Sequence, residues 1–69
     1  MVNLYDVQQL LKRFGIYVYI GKRLWDIEIM MVELKKLHDN GLILDDEYLP
    51  AILILKQEHR KEKEKEQKS

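Results

Sequence analysis

A chain of 69 residues has room for one small hydrophobic core and no second module, which excludes most enzyme architectures. Its 12 Lys and Arg balance 12 Asp and Glu, so net charge points to no nucleic-acid or membrane partner, and any such signal has to lie in how the charges are distributed. With 46% hydrophobic residues and no cysteine, the chain must fold on apolar packing, without disulfides, thiolate metal sites or thiol nucleophiles.

The segment from Met1 to Phe14 interleaves Asp6, Gln8, Gln9 and Lys12 with its apolar residues and has neither a signal-peptide core nor a small-residue cleavage site. The expected location is therefore cytoplasmic. The longest apolar stretch, Leu49 to Leu55, is interrupted by Pro50 and falls far short of the about 20 residues that cross a bilayer.

A first helix is predicted from Asn3, whose side chain can cap the opening N–H groups. Leu4, Val7, Leu10, Leu11 and Phe14 then recur at spacings of three and four. Gly15 supplies the left-handed residue that ends it, with Lys12 and Arg13 at the negative end of the helix dipole. Ile16-Tyr17-Val18-Tyr19-Ile20, β-branched and aromatic throughout and set between two glycines, reads as an extended connector. As a lone strand it needs water, packing turns or another chain to satisfy its backbone.

A second helix should run from about Arg23 to Asp39 and stop at Asp39-Asn40-Gly41. At 100° per residue, Leu24, Ile27, Met30, Met31, Leu34, Leu37 and His38 form its core stripe, while Trp25, Ile29 and Val32 fall on the opposite side. A helix apolar on two sides has to be covered on two sides. The expectation is that either the connector or a neighbouring molecule wraps the Trp25 face.

A third helix is predicted to open at Leu44-Asp45-Asp46-Glu47, with an aspartate as N-cap and further acids at the positive end of the dipole. Tyr48, Ala51, Ile52 and Leu55 form its core stripe, and Pro50 should make the opening turn irregular or bend the axis. After Leu55 no apolar residue is left to pack, so burial should end there. Pairs such as Glu58 with Lys61, Glu62 with Lys65 and Glu64 with Lys68 carry the helix further until it frays before Ser69. The fold class read from this is all-α, a compact three-helix bundle over residues 1–60 with a charged extension over 61–69.

Little chemistry is available. Ser69 is the only serine and threonine is absent, which excludes the common acyl-transfer nucleophiles. His38 and His59 lie on different predicted helices without a spacing that brings two ligands to one face, and both read as structural or solvated side chains. The acids Asp45, Asp46 and Glu47 are explained by helix-start electrostatics. They would also repel a phosphate backbone, which argues against duplex readout by the third helix in the manner of a helix-turn-helix protein. No glycine-rich phosphate loop is present, and no enzyme, cofactor, metal or small-molecule substrate is expected.

The connector is the exception. Lys12, Arg13, Lys22 and Arg23 flank Tyr17 and Tyr19, and cations beside aromatic faces are the minimum equipment for binding single-stranded RNA or DNA. The competing expectation is that the connector's side chains are consumed in covering the second helix. An alternative partner is a protein, including a second copy of the chain, meeting Trp25, Ile29 and Val32.

Taken together, YDVQQLLKRFG at Tyr5 to Gly15, the aromatic connector ending in Gly21-Lys22-Arg23, DIEIMMVELKKL at Asp26 to Leu37 and LILKQEHRKEKE at Leu53 to Glu64 resemble the YqgQ-like family of small bacterial proteins from low-GC Gram-positive organisms. The resemblance covers nearly the whole chain. It implies a three-helix bundle in the cytosol with no assigned reaction, and a suggested role in binding single-stranded nucleic acid. Of the family's features, only Tyr17, Tyr19, Lys22 and Arg23 can be matched to a binding surface in this sequence.

Overall fold

Asn3 starts the first helix as its sequence position requires. In the computed structural model, which describes residues 2–67, Asn3 Oδ1 accepts the Asp6 N–H at 3.1 Å while the Asp6 carboxylate accepts the N–H groups of Asn3 and Val2 at 3.3 and 2.8 Å. This reciprocal box satisfies donors that an uncapped helix would leave open. It opens α1 (Leu4–Lys12), which is followed by α2 (Arg23–Asp39) and α3 (Asp45–Gln67).

Glycines close the first two helices in the same way. Gly15 and Gly41 adopt φ of 75° and 73°, where a Cβ would be strained. The Ile16 N–H returns to the Leu11 carbonyl at 3.1 Å, and the Leu42 N–H to the Leu37 carbonyl at 2.9 Å. Both expected helix ends are present, and α2 spans the predicted residues.

The core is one cluster. Val7, Leu10 and Leu11 of α1, Ile27, Met30, Leu34 and Leu37 of α2, and Ala51 and Leu55 of α3 are buried, and Ile43 plugs the cluster from the α2–α3 turn. Leu24, Met31 and His38, expected in the α2 stripe, are only half-buried because they lie at its margin toward α3, as are Tyr48 and Ile52 on the other helix. No described side chain buries an unpaired polar atom.

Side-chain contacts give the helix directions. The imidazole of His38, near the end of α2, donates from Nε2 to the Asp45 carboxylate at the start of α3 and stacks on Tyr48 with ring centroids 4.1 Å apart, so these helices are antiparallel. Arg13, just past α1, reaches Glu47 at the start of α3, and Leu4 at the other end of α1 shares a hollow with Gly21 and Arg23. Helix α1 therefore runs alongside α2 in the same direction, and the connector has to travel back along the bundle between them. An extended chain covers that distance in five residues at about 3.3 Å each, against 1.5 Å each for a helix.

Two expectations about α3 are corrected. Leu44, not an aspartate, occupies the cap position: its carbonyl accepts the Tyr48 N–H at 2.9 Å, and Asp45 is the first helical residue with its carboxylate held by His38. Burial also does not stop at Leu55. Glu58, His59 and Glu62 are half-buried because α2 meets them with charged partners. Pro50 sits inside a helix that continues without a break from Asp45. The pairs of Glu58 with Lys61 and Glu62 with Lys65 form at 3.7 and 3.5 Å, while the expected Glu64–Lys68 pair and the fraying at Ser69 fall outside the described residues.

Candidate nucleic-acid interface

The connector alternates as an extended chain does. Ile16 and Val18 turn inward onto the core cluster, and Tyr17 and Tyr19 turn outward, 73% and 93% exposed. Its ends are fixed: the Ile16 N–H is held by the Leu11 carbonyl, and the Ile20 N–H donates to Asp26 Oδ1 at 2.7 Å. Two aromatic rings are thus presented to solvent from a segment anchored at both ends and packed on the core through Ile16 and Val18.

A groove of about 310 Å³ runs between the connector and α1, with Lys12 and Gln8 on its α1 side and Tyr17 and Tyr19 on the other. Lys12 makes no ion pair among the described residues and is exposed. Lys22 places its Nζ 4.8 Å from the centre of the Trp25 ring, a cation–π contact that leaves its charge without a carboxylate.

The two arginines are differently employed. Arg13 Nη1 meets Glu47 Oε2 at 3.2 Å on the surface. Arg23 bridges Glu58 at 3.2 Å and Glu62 at 3.1 Å, which makes it a brace between α2 and the far half of α3. Of the four flanking cations, Lys12 and Lys22 are the ones without an acidic partner among the described residues. Sequence spacing puts Glu58 and Glu62 on one helix face four residues apart but does not say which cation on another helix meets them.

The expectation that the connector wraps the second face of α2 is overturned. Trp25, Ile29 and Val32 are 52%, 36% and 53% exposed in the single chain. The connector runs between α1 and the side of α2 that carries Asp26 and Met30, and Lys22 just beyond it packs against Trp25. Leu49 and Leu53 of α3 are likewise exposed, and a trough of about 390 Å³ lined by Val32, Lys35, Leu49 and Ile52 lies between the two helices.

Both histidines hold helices together. His38 joins α2 to Asp45 and Tyr48, and His59 of α3 lies 3.0 Å from Glu28 of α2. Among the described residues no three His, Cys, Asp or Glu side chains gather as a metal set. No helix there is long and apolar enough to cross a membrane.

Fold and surface define a small all-α protein, a three-helix bundle that displays an aromatic linker and joins its helices by ion pairs such as Arg23 with Glu58 and Glu62. The chain belongs to the YqgQ-like family, whose model matches residues 1–61. It is similar to the uncharacterized protein YqgQ of Bacillus subtilis (strain 168), with 47% identity over 58 residues, covering 84% of this chain and 82% of that relative.

Proposed function

We propose that the protein is a non-catalytic cytosolic binder of single-stranded nucleic acid, which stacks bases on Tyr17 and Tyr19 and attracts phosphates with Lys12 and Lys22. Arg13 contributes by exchanging Glu47 for a phosphate, whereas Arg23 acts by holding the bundle. The observation that supports this reading most is the outward display of both rings from a connector whose alternate residues Ile16 and Val18 pack against the core. Ordinary packing would use these rings as cover for the Trp25 face, and they do not serve it. A stacking platform accepts any base because each has a π-face, so weak sequence preference is expected.

Fluorescence anisotropy with labelled oligonucleotides tests it. Saturable binding tighter than about 100 µM at about 50 mM salt, weakening as salt rises, supports the reading, and absence of saturation in that range refutes it.

A second reading rests on the exposed Trp25, Ile29 and Val32, joined by Leu49 and Leu53: a protein partner covers this face. Replacing Val32 with Glu should then abolish capture of that partner while leaving the oligonucleotide affinity within about twofold, since Val32 lies in the α2–α3 trough, away from the connector–α1 groove and from Lys22.

A further inference from the structure

The connector and its bounding glycines, Gly15-Ile16-Tyr17-Val18-Tyr19-Ile20-Gly21, read the same in both directions, a palindrome centred on Val18. Its backbone is unevenly used. In an extended chain, the N–H and C=O groups of alternate residues point to opposite edges. The intramolecular bonds of the connector fall on Ile16 and Ile20, hence on one edge. Tyr17 and Tyr19 own the other edge, and their N–H and C=O groups have no protein partner among the described residues. No turn or bend interrupts residues 16–20.

We propose that the chain self-associates by antiparallel pairing of two connectors through this open edge, with the two-fold axis at Val18. In that register Val18 faces Val18 of the second copy, Tyr17 faces Tyr19 and Ile16 faces Ile20. The palindrome places like opposite like at each position. Both Tyr17–Tyr19 pairs then exchange two backbone hydrogen bonds each, drawing on the groups the single chain leaves open, and the central valines form the pair that exchanges none. The occupant is a second copy because the palindrome sets side chains of the same type, and so of matched size and strand preference, opposite each other at every position across the two-fold.

Geometry and charge agree with the register. Gly15 and Gly21, at φ of 75° and 102°, turn the chain away at both ends, which confines the ribbon to five residues. The charges next brought toward each other, Arg13 and Arg23, are already paired with Glu47 and with Glu58 and Glu62. All four tyrosine rings remain on the outer face, and Ile16 and Val18 stay packed on the core, while Ile20 is half-exposed at the end of the ribbon. The interface is smaller than the about 1,200 Å² of an ordinary stable complex, so the dimer is weak, with a Kd of about 100 µM or above. The inference stands apart from nucleic-acid binding, which does not require it.

Cysteine cross-linking tests it, because the chain is cysteine-free. In a non-hydrogen-bonded antiparallel pair the opposed Cα atoms lie about 4.5 Å apart, within disulfide reach. Val18→Cys should therefore give a covalent dimer under mild oxidation at least tenfold faster than Tyr17→Cys or Ile29→Cys, with the helical circular dichroism retained. A second measurement needs no variant: a mixture of labelled and unlabelled wild-type protein near 1 mM should show an intermolecular Hα–Hα contact at Val18. Equal cross-linking at all three positions, faster cross-linking at Ile29→Cys, or a monomer without the Val18 contact near 1 mM would each overturn the proposal.

Discussion

The guanidinium of Arg23, on the first residue of α2, lies 3.1 Å from Glu62 and also grips Glu58 one turn earlier on α3. The acids are largely covered while the arginine is half-exposed, so solvent screening reduces what each ion pair contributes. Its larger effect is on where α3 stops behaving as part of the bundle. Arg23→Ala should cost about 1 kcal/mol and speed amide hydrogen exchange from Glu58 onward, with little change around Ala51. Arg23→Lys should recover less than half of the loss, since an ammonium cannot fork to two carboxylates as a guanidinium does. Residue-resolved exchange by NMR measures both.

Asp45 and Asp46 are adjacent acids in the first turn of α3, and the structure gives them different work. Asp45 accepts from His38, whose ring stacks on Tyr48, whereas the Asp46 side chain has no hydrogen-bond or ion-pair partner among the described residues and serves the helix dipole. Asp45→Ala should destabilise the fold by about 1 kcal/mol and Asp46→Ala by about 0.5 kcal/mol or less. A double-mutant cycle of His38 with Asp45 in urea unfolding should give a coupling of at least about 0.5 kcal/mol, and the same cycle with Asp46 should give none.

Leu34 is buried and Val32, two residues away, is half-open. Leu34→Ala should cost about 2 to 5 kcal/mol, a large share of the total stability of a domain this small. Val32→Ala should fall within about 0.5 kcal/mol unless a partner covers that face. Denaturant midpoints of the purified variants check both values.

Gly15 tests the chain reversal that launches the connector. A Cβ added there would meet no atom within 4 Å, so the penalty for Gly15→Ala arises from the backbone at φ of 75° and not from a clash. The expected loss is about 1 to 2 kcal/mol in thermal or urea unfolding. Gly15→Asn should lose less, because asparagine tolerates the left-handed region better than alanine.

Helix boundaries were legible where a local signal decides them. The Asn3 cap, Gly15, Gly41 and the span Arg23–Asp39 follow from chemistry within a few residues of each helix end. The core stripe was legible in its centre, at Ile27, Met30 and Leu34, because periodicity alone sets which residues face inward. Ile43 was missed since it lies in a turn, where no period applies. The Arg23 brace and the His38–Asp45 bond join residues on different helices, and sequence spacing carries no direct record of such pairs. For the candidate site, alternation in the connector already paired Tyr17 with Tyr19 on one side. Which side faces water depended on the path of the connector along α1, and that path also left Trp25, Ile29 and Val32 uncovered.

The most direct test of the central claim is the oligonucleotide affinity of a Tyr17→Ala/Tyr19→Ala variant compared with wild type at one salt concentration. Neither ring takes part in the core, so the variant should fold as wild type does while losing about 1 to 3 kcal/mol for each base stacked, at least a tenfold rise in Kd. Unchanged affinity in a folded variant would contradict the assignment of the connector as the binding surface.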